Sequence, residues 1–204
     1  GSEPQNSVPR FFMNTGRYIF SQIVDFLPKR KFERIMEHRT KNKVEDRTLG
    51  WQLSYWGQLL VLIFGQLLGC RSLRELTDIT TAHRRKSFHL GFGKETVDRN
   101  ILSRCNTNRD WHVFEEFANH MIMLAQEARI DREFCIGGKF YAFDSSTIDL
   151  CMSVYDWAKF RSTKSGIKLH TQLDIVTQIP VMINITNASV HDVNAMDVIE
   201  YEPL

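Results

Sequence analysis

The chain has 204 residues, 43% of them hydrophobic, with a formal net charge of +2. That is enough to bury a real core in one or two domains. Cys70, Cys105, Cys135 and Cys151 are widely spaced, with no Cys-x-x-Cys pair and no secretory signal, which argues against a structural zinc site and for a reduced cytoplasmic setting.

The small net charge hides an asymmetry. Residues 1–109 hold 19 Lys+Arg against 10 Asp+Glu, a balance of +9, whereas residues 110–204 hold 7 against 14, a balance of −7. A polyanion-binding front half is the expectation, with a back half whose acids serve a cation.

In chain order, GSEPQNSVPRFF reads as a tag or leader, and Met13 as a natural start. Ile19, Ile23, Phe26 and Leu27 follow helical spacing. Pro28 opens a second helix, with Phe32, Ile35 and Met36 inward. Its other faces carry Lys29, Arg30, Lys31 and Arg34, with Arg39, Lys41 and Lys43 further on. Taken singly, each is an ordinary solvated cation; clustered on a basic half, they point to phosphate contact.

No charge appears between Arg47 and Arg71. On a helical projection Leu53, Trp56, Leu60, Ile63, Phe64, Leu67 and Leu68 fall on one side, and Gln52, Ser54, Gln58 and Gln66 on the other. That segregation predicts a core helix rather than a membrane span, which would not need it. After Gly69-Cys70-Arg71, Ser72 is an N-cap with Glu75 in the capping-box position, so the two helices could form a helix-turn-helix. His83-Arg84-Arg85-Lys86 and LGFGKETVDRN read as an exposed basic connection. Trp111, Phe114, Phe117, Met121 and Leu124 mark a further amphipathic helix ending near Arg129.

From residue 139 the apolar period changes from 3.6 to 2. Phe140, Ala142 and Asp144 share a face of a first strand. Leu169, Thr171, Leu173 and Ile175 alternate with Lys168, His170, Gln172 and Asp174 in a second, and Val181, Ile183 and Ile185 set a third, with Thr177-Gln178 as the hairpin link. Val193, Met196 and Ile199 begin a closing helix. The fold class is therefore α+β: helices over 13–130, then an incomplete α/β unit over 139–204.

In YAFDSSTIDL, an apolar run delivers Asp144 at what looks like a strand end, before Ser145-Ser146-Thr147. As a structural residue it would cap a turn. As a functional one it would hold a hard divalent cation. Asp149 has the opposite strand parity, and no spacing brings Asp174 or Asp192 to Asp144. The run WAKFRSTKSGIK holds Lys159, Arg161, Lys164 and Lys168, four of the seven cations of the acidic half. A metal-binding acid beside a basic segment suits phosphodiester chemistry.

FDSSTIDLCMSVYDWAKFRSTKSGIKLHTQLDI, with IPVMINITNASVHDVNAMD, resembles the start of the catalytic domain of insertion-sequence-four DDE transposases. MNTGRYIFSQIVDFLP, QLLVLIFGQLLGCRSLREL and VDRNILSRCNTNRDWHVFEEF resemble their N-terminal helical domain. The resemblance covers essentially everything from Met13 onward. It implies a ribonuclease-H-like fold in which two Asp and one Glu hold two Mg²⁺ or Mn²⁺ ions, with Asp144 as the first Asp. The family's second Asp and its Glu lie beyond this segment, and Asp192 is not taken for either.

The same resemblance implies DNA transposition: hydrolysis at insertion-sequence ends and attack of the freed 3′-hydroxyl on target DNA, with this chain inactive by itself. Duplex DNA is the expected partner, a homodimer a further one, membranes none, and the setting cytoplasmic and nucleoid-associated. A non-catalytic DNA-binding or interaction module is the alternative. An aspartyl phosphatase of the haloacid dehalogenase type would want an acid at position 146, which is Ser.

Overall fold

The computed structural model describes residues 18–40, 53–86, 90–92, 97–128, 140–150, 159–161 and 164–190. The chain divides into two compact units, Gly1–Met121 and Ile122–Leu204. The expected leader, the start at Met13, the closing helix from Val193, and Cys135 and Cys151 lie outside the described residues.

The first unit is helical: α1 Ile19–Val24, α2 Lys29–Thr40, α3 Tyr55–Leu67, α4 Leu73–Ala82, a 3₁₀ turn Arg84–Lys86, α5 Arg99–Asn108 and α6 His112–Glu127, which from Ile122 onward belongs to the second unit. Two clusters make its core. Phe20, Leu60, Val61, Phe64, Leu76, Leu102 and Cys105 belong to one. Phe32, Ile35, Tyr55, Val113 and Phe117 form the other. Leu27 and Trp56 pack against both. Phe32 is fully buried, with Trp56 and Phe117 edge-on at 5.4 and 5.1 Å. Burying a side chain of this kind is worth roughly 1.5–3 kcal/mol.

The α2 pattern holds, with Phe32 and Ile35 buried and Met36 packed on them. Elsewhere the apolar stripe is rotated from the expectation. In α1, Phe20 is the buried residue, while Ile19 and Ile23, and Phe26 just after the helix, are exposed. In α3, Leu67 and the capping Leu68 are exposed and Gln58 is only 2% accessible. In α6, Val113 and Phe117 are buried, whereas Leu124, and Trp111 just before the helix, are exposed.

Gln58 lies inside because its amide is satisfied: Nε2 donates to Asn106 Oδ1 at 2.7 Å, and Oε1 accepts from Arg109 Nη1 at 2.8 Å. Arg109 is itself buried; it also donates to the Leu53 carbonyl and stands 4.3 Å over the Tyr55 ring. A polar pair that is fully hydrogen-bonded can occupy a helix face that periodicity assigns to solvent.

The α3–α4 corner follows the sequence closely. Gly69 takes φ +69, its N–H donates to Gln66 O, and the Cys70 N–H reaches back to Gly65 O at 2.9 Å. This is a Schellman ending, which needs a residue that tolerates positive φ. Ser72 Oγ then accepts from the Glu75 N–H at 3.1 Å, while Glu75 Oε2 accepts from the Arg71 N–H at 2.8 Å. Ser72→Ala should cost about 1 kcal/mol of helical-unit stability, read as a lower urea midpoint at unchanged slope. A Cβ on Gly65 would lie 2.9 Å from Leu76 Cδ1, so α3 meets the Leu76 side chain through bare backbone.

The second unit holds an antiparallel sheet: β1 Tyr141–Leu150, β2 Lys159–Arg161, β3 Lys164–Asp174 and β4 Ile179–Asn187. β3 is central. It pairs with β1 along its whole length, and on its other side with β4 and, at its start, with β2. Helices followed by this sheet make the chain α+β, as expected. Asp174 Oδ1 accepts from the N–H groups of Val176 and Thr177 and fixes the 175–178 hairpin turn, where Gln178 has φ +57. In α6, the Gln126 side-chain amide donates to the Pro180 carbonyl at 3.3 Å. No described helix is long and apolar enough to cross a membrane.

Candidate nucleic-acid interface and the Asp144 strand

α2 presents Lys29, Arg30, Lys31 and Arg34 to solvent because Phe32 and Ile35 occupy its core face. Lys29 is partly neutralised by Glu33 one turn on, with Nζ to Oε1 at 3.7 Å. No described carboxylate pairs with Arg30, Lys31 or Arg34. Arg39, further along, is held by Glu116 of α6 at 2.9 Å and serves packing. Three unneutralised cations on two helical turns can meet a row of phosphates, and Arg offers the bidentate geometry that phosphate favours.

The second basic group is less uniform. Lys159 and Arg161 lie in β2 and Lys164 opens β3, with Lys159 opposite Ser165 and Arg161 opposite Lys164. The basic run 157–168 is thus partly strand. Lys168 is half-buried, and its ammonium donates to the Val190 carbonyl at 2.9 Å, so it is engaged within the sheet unit.

Asp144 is not at a strand end. β1 continues through Ser145, Ser146 and Thr147, which pair with His170, Leu169 and Lys168, so the turn-cap reading is overturned. Nor is the carboxylate buried. Asp144 is exposed, opposite Thr171, on a face it shares with Ala142, Ser146 and Ile148 and, across the sheet, Ile183 and Ile185. Tyr141, Phe143 and Ser145 alternate onto the other, better covered face. There His170 is fully buried, stacked on Phe143 at 5.8 Å with Nε2 2.8 Å from Thr186 Oγ1. The polar set of β3, not its apolar set, is therefore the more enclosed.

Asp149 lies on the face opposite to Asp144, as strand parity predicts, and Asp174 is paired with Tyr141 on that same far face. Asp192 is outside the described residues. Among the described residues no three His, Cys, Asp or Glu side chains gather as metal ligands. One solvated carboxylate is compatible with a hard cation, but it does not make a site without further protein oxygens.

Two features escaped sequence reasoning. Arg109 counts toward the basic half, yet it is a buried clamp; the glutamine in an apolar helix was the available signal. The other is the contact of Lys86, in the exposed turn that HRRK suggested, whose Nζ stands 5.3 Å over the Tyr18 ring at the start of α1.

Residues 15–93 match a family model described as a domain of unknown function, DUF4372, less than half of the chain. That domain is typical of transposase-like proteins. The stretch takes in α1 to α4 and the Arg84–Lys86 turn, hence most of the exposed cations described above. No curated protein and no solved structure matches the chain.

Proposed function

We propose that this chain is the front part of a DNA transposase, in which the helical unit binds duplex DNA and Asp144 contributes one carboxylate to a strand-cleaving and strand-joining centre. The observation that carries this is the match of residues 15–93 to a domain typical of transposase-like proteins, over the helices that hold the unneutralised cations. The antiparallel order, with β3 between β1 and β4 and the acid on β1, supports a ribonuclease-H-like reading of the sheet. A divalent cation, Mg²⁺ or Mn²⁺, would there polarise phosphate and activate the attacking oxygen. Asp144 would be one ligand among several.

A second reading is favoured by one fact: no other described carboxylate shares the Asp144 face. On this reading the protein is a non-catalytic DNA-binding module, cytoplasmic and nucleoid-associated like the first. Both readings require duplex binding. Titrating the chain with duplex DNA should give an affinity that falls linearly in log–log form with salt, at about 0.9 per phosphate neutralised. Failure to bind at low salt would remove both. Metal-dependent cleavage by a longer protein separates them.

A further inference from the structure

α5 is held from one side. Leu102 and Cys105 are fully buried in the first core cluster, and Gln58 Nε2 donates to Asn106 Oδ1 at 2.7 Å. Asp98 caps the start, its Oδ1 accepting from the Asn100 and Ile101 N–H groups at 2.7 and 3.0 Å, and the buried Arg109 ends the helix. These contacts fix α5 on the unit and leave its far side open.

That open side differs from those of its neighbours. Arg99, Asn100, Ser103, Arg104 and Thr107 are all exposed and, at about 100° per residue, share one sector of the helix. α2, α4 and α6 each carry at least two Asp or Glu, whereas α5 carries none. No described carboxylate pairs with Arg99 or Arg104. The Thr107 hydroxyl donates to the Ser103 carbonyl at 3.1 Å, which leaves its oxygen able to accept.

Nor do these residues favour a helix. Asn, Ser and Thr are poor helix formers because their side chains compete for nearby backbone groups. Arg99 stands in the first turn, where the helix dipole favours an acid. An ordinary solvated face accounts for the exposure, but not for the absence of acids or for choices that work against the helix. Such conflicts are expected where a surface serves a ligand.

We propose that α5 reads DNA sequence, lying in the major groove with Arg99, Asn100 and Arg104 on base edges and Ser103 and Thr107 beside them. The inference rests on the duplex-binding reading and adds to it the surface that tells one sequence from another. The side-chain types fit: Arg is bidentate to guanine O6 and N7, Asn to adenine N6 and N7, and Ser or Thr bonds to either. The size fits as well, since a helix about 10–12 Å across enters a groove about 12 Å wide. The α2 cations would hold phosphates, which position a protein without conveying sequence.

The test selects from a pool of random-sequence duplexes with the whole chain, then compares an enriched duplex with a scrambled one by anisotropy. The parent should prefer the enriched duplex about a hundredfold or more. Asn100→Ala and Arg104→Lys should each cut that preference about tenfold, with scrambled-duplex affinity, salt slope, helical circular dichroism and thermal midpoint unchanged. Arg30→Gln/Lys31→Gln/Arg34→Gln should instead weaken both duplexes alike. If the parent binds duplex but enriches no sequence, or if both α5 variants keep its preference, α5 is not the reading helix while the duplex reading stands. If the parent binds no duplex at low salt, both fall. Should Asn100→Ala lower helicity, Arg104→Lys, a change at an exposed side chain that keeps the charge, decides alone.

Discussion

Asp144→Asn should leave the fold and duplex binding unchanged, yet remove strand cleavage and joining from a longer protein that supplies the remaining carboxylates. The stability half of this follows from the structure. Asp144 is exposed in the middle of β1, and Asn has nearly its shape, so unfolding should shift by no more than about 0.5 kcal/mol. The activity half follows from the proposed role. A hard cation needs the negative charge, and an amide oxygen does not replace it. The present chain should cut and join nothing, even with Mn²⁺. If the Asn form of the longer protein processes transposon ends at nearly the parental rate, Asp144 is an ordinary strand residue.

Arg109→Met should be the most damaging single change in the helical unit. It keeps much of the side-chain volume but withdraws the donors serving Gln58 Oε1 and the Leu53 carbonyl, and the charge over Tyr55. Two buried acceptors left unsatisfied cost roughly 1–3 kcal/mol each, so a loss of about 3–5 kcal/mol is expected. Urea denaturation followed by helical circular dichroism reads it directly. A companion Gln58→Leu/Arg109→Met protein removes one orphaned acceptor and should recover part of the loss. A loss below about 1 kcal/mol for Arg109→Met would mean that water takes over the clamp's role.

The order of elements was legible because local signals and tertiary packing agree. The change of period near residue 139 marks the sheet, and the Gly69 and Ser72 signals mark the corner between α3 and α4. Facing was harder. Gln58 and Arg109 are separated by 51 residues, and neither reveals its partner in one-dimensional patterning. Ile19, Ile23 and Phe26 keep helical spacing whichever way α1 turns, and only the seating of Phe20 against Phe64 at 5.1 Å decides it. At Asp144, Ser145-Ser146-Thr147 imitates a turn, yet pairing with β3 overrides local preference, as is common for strands. The exposed cations of α2 were legible for the opposite reason: solvent needs no partner in the chain.

The Gly65 contact has a consequence for the natural variation of this domain. A methyl group at position 65 would stand 2.9 Å from Leu76 Cδ1, so the end of the buried Leu76 side chain would have to shift to admit it. The two positions should therefore change together: descendants that acquire Ala or Ser at 65 should carry Val or Ala at 76, and those that keep Leu76 should keep the glycine. Gly65→Ala alone should be poorly tolerated, and Leu76→Val should act as its suppressor. Co-varying pairs in related sequences would thus record a helix contact no wider than one missing carbon.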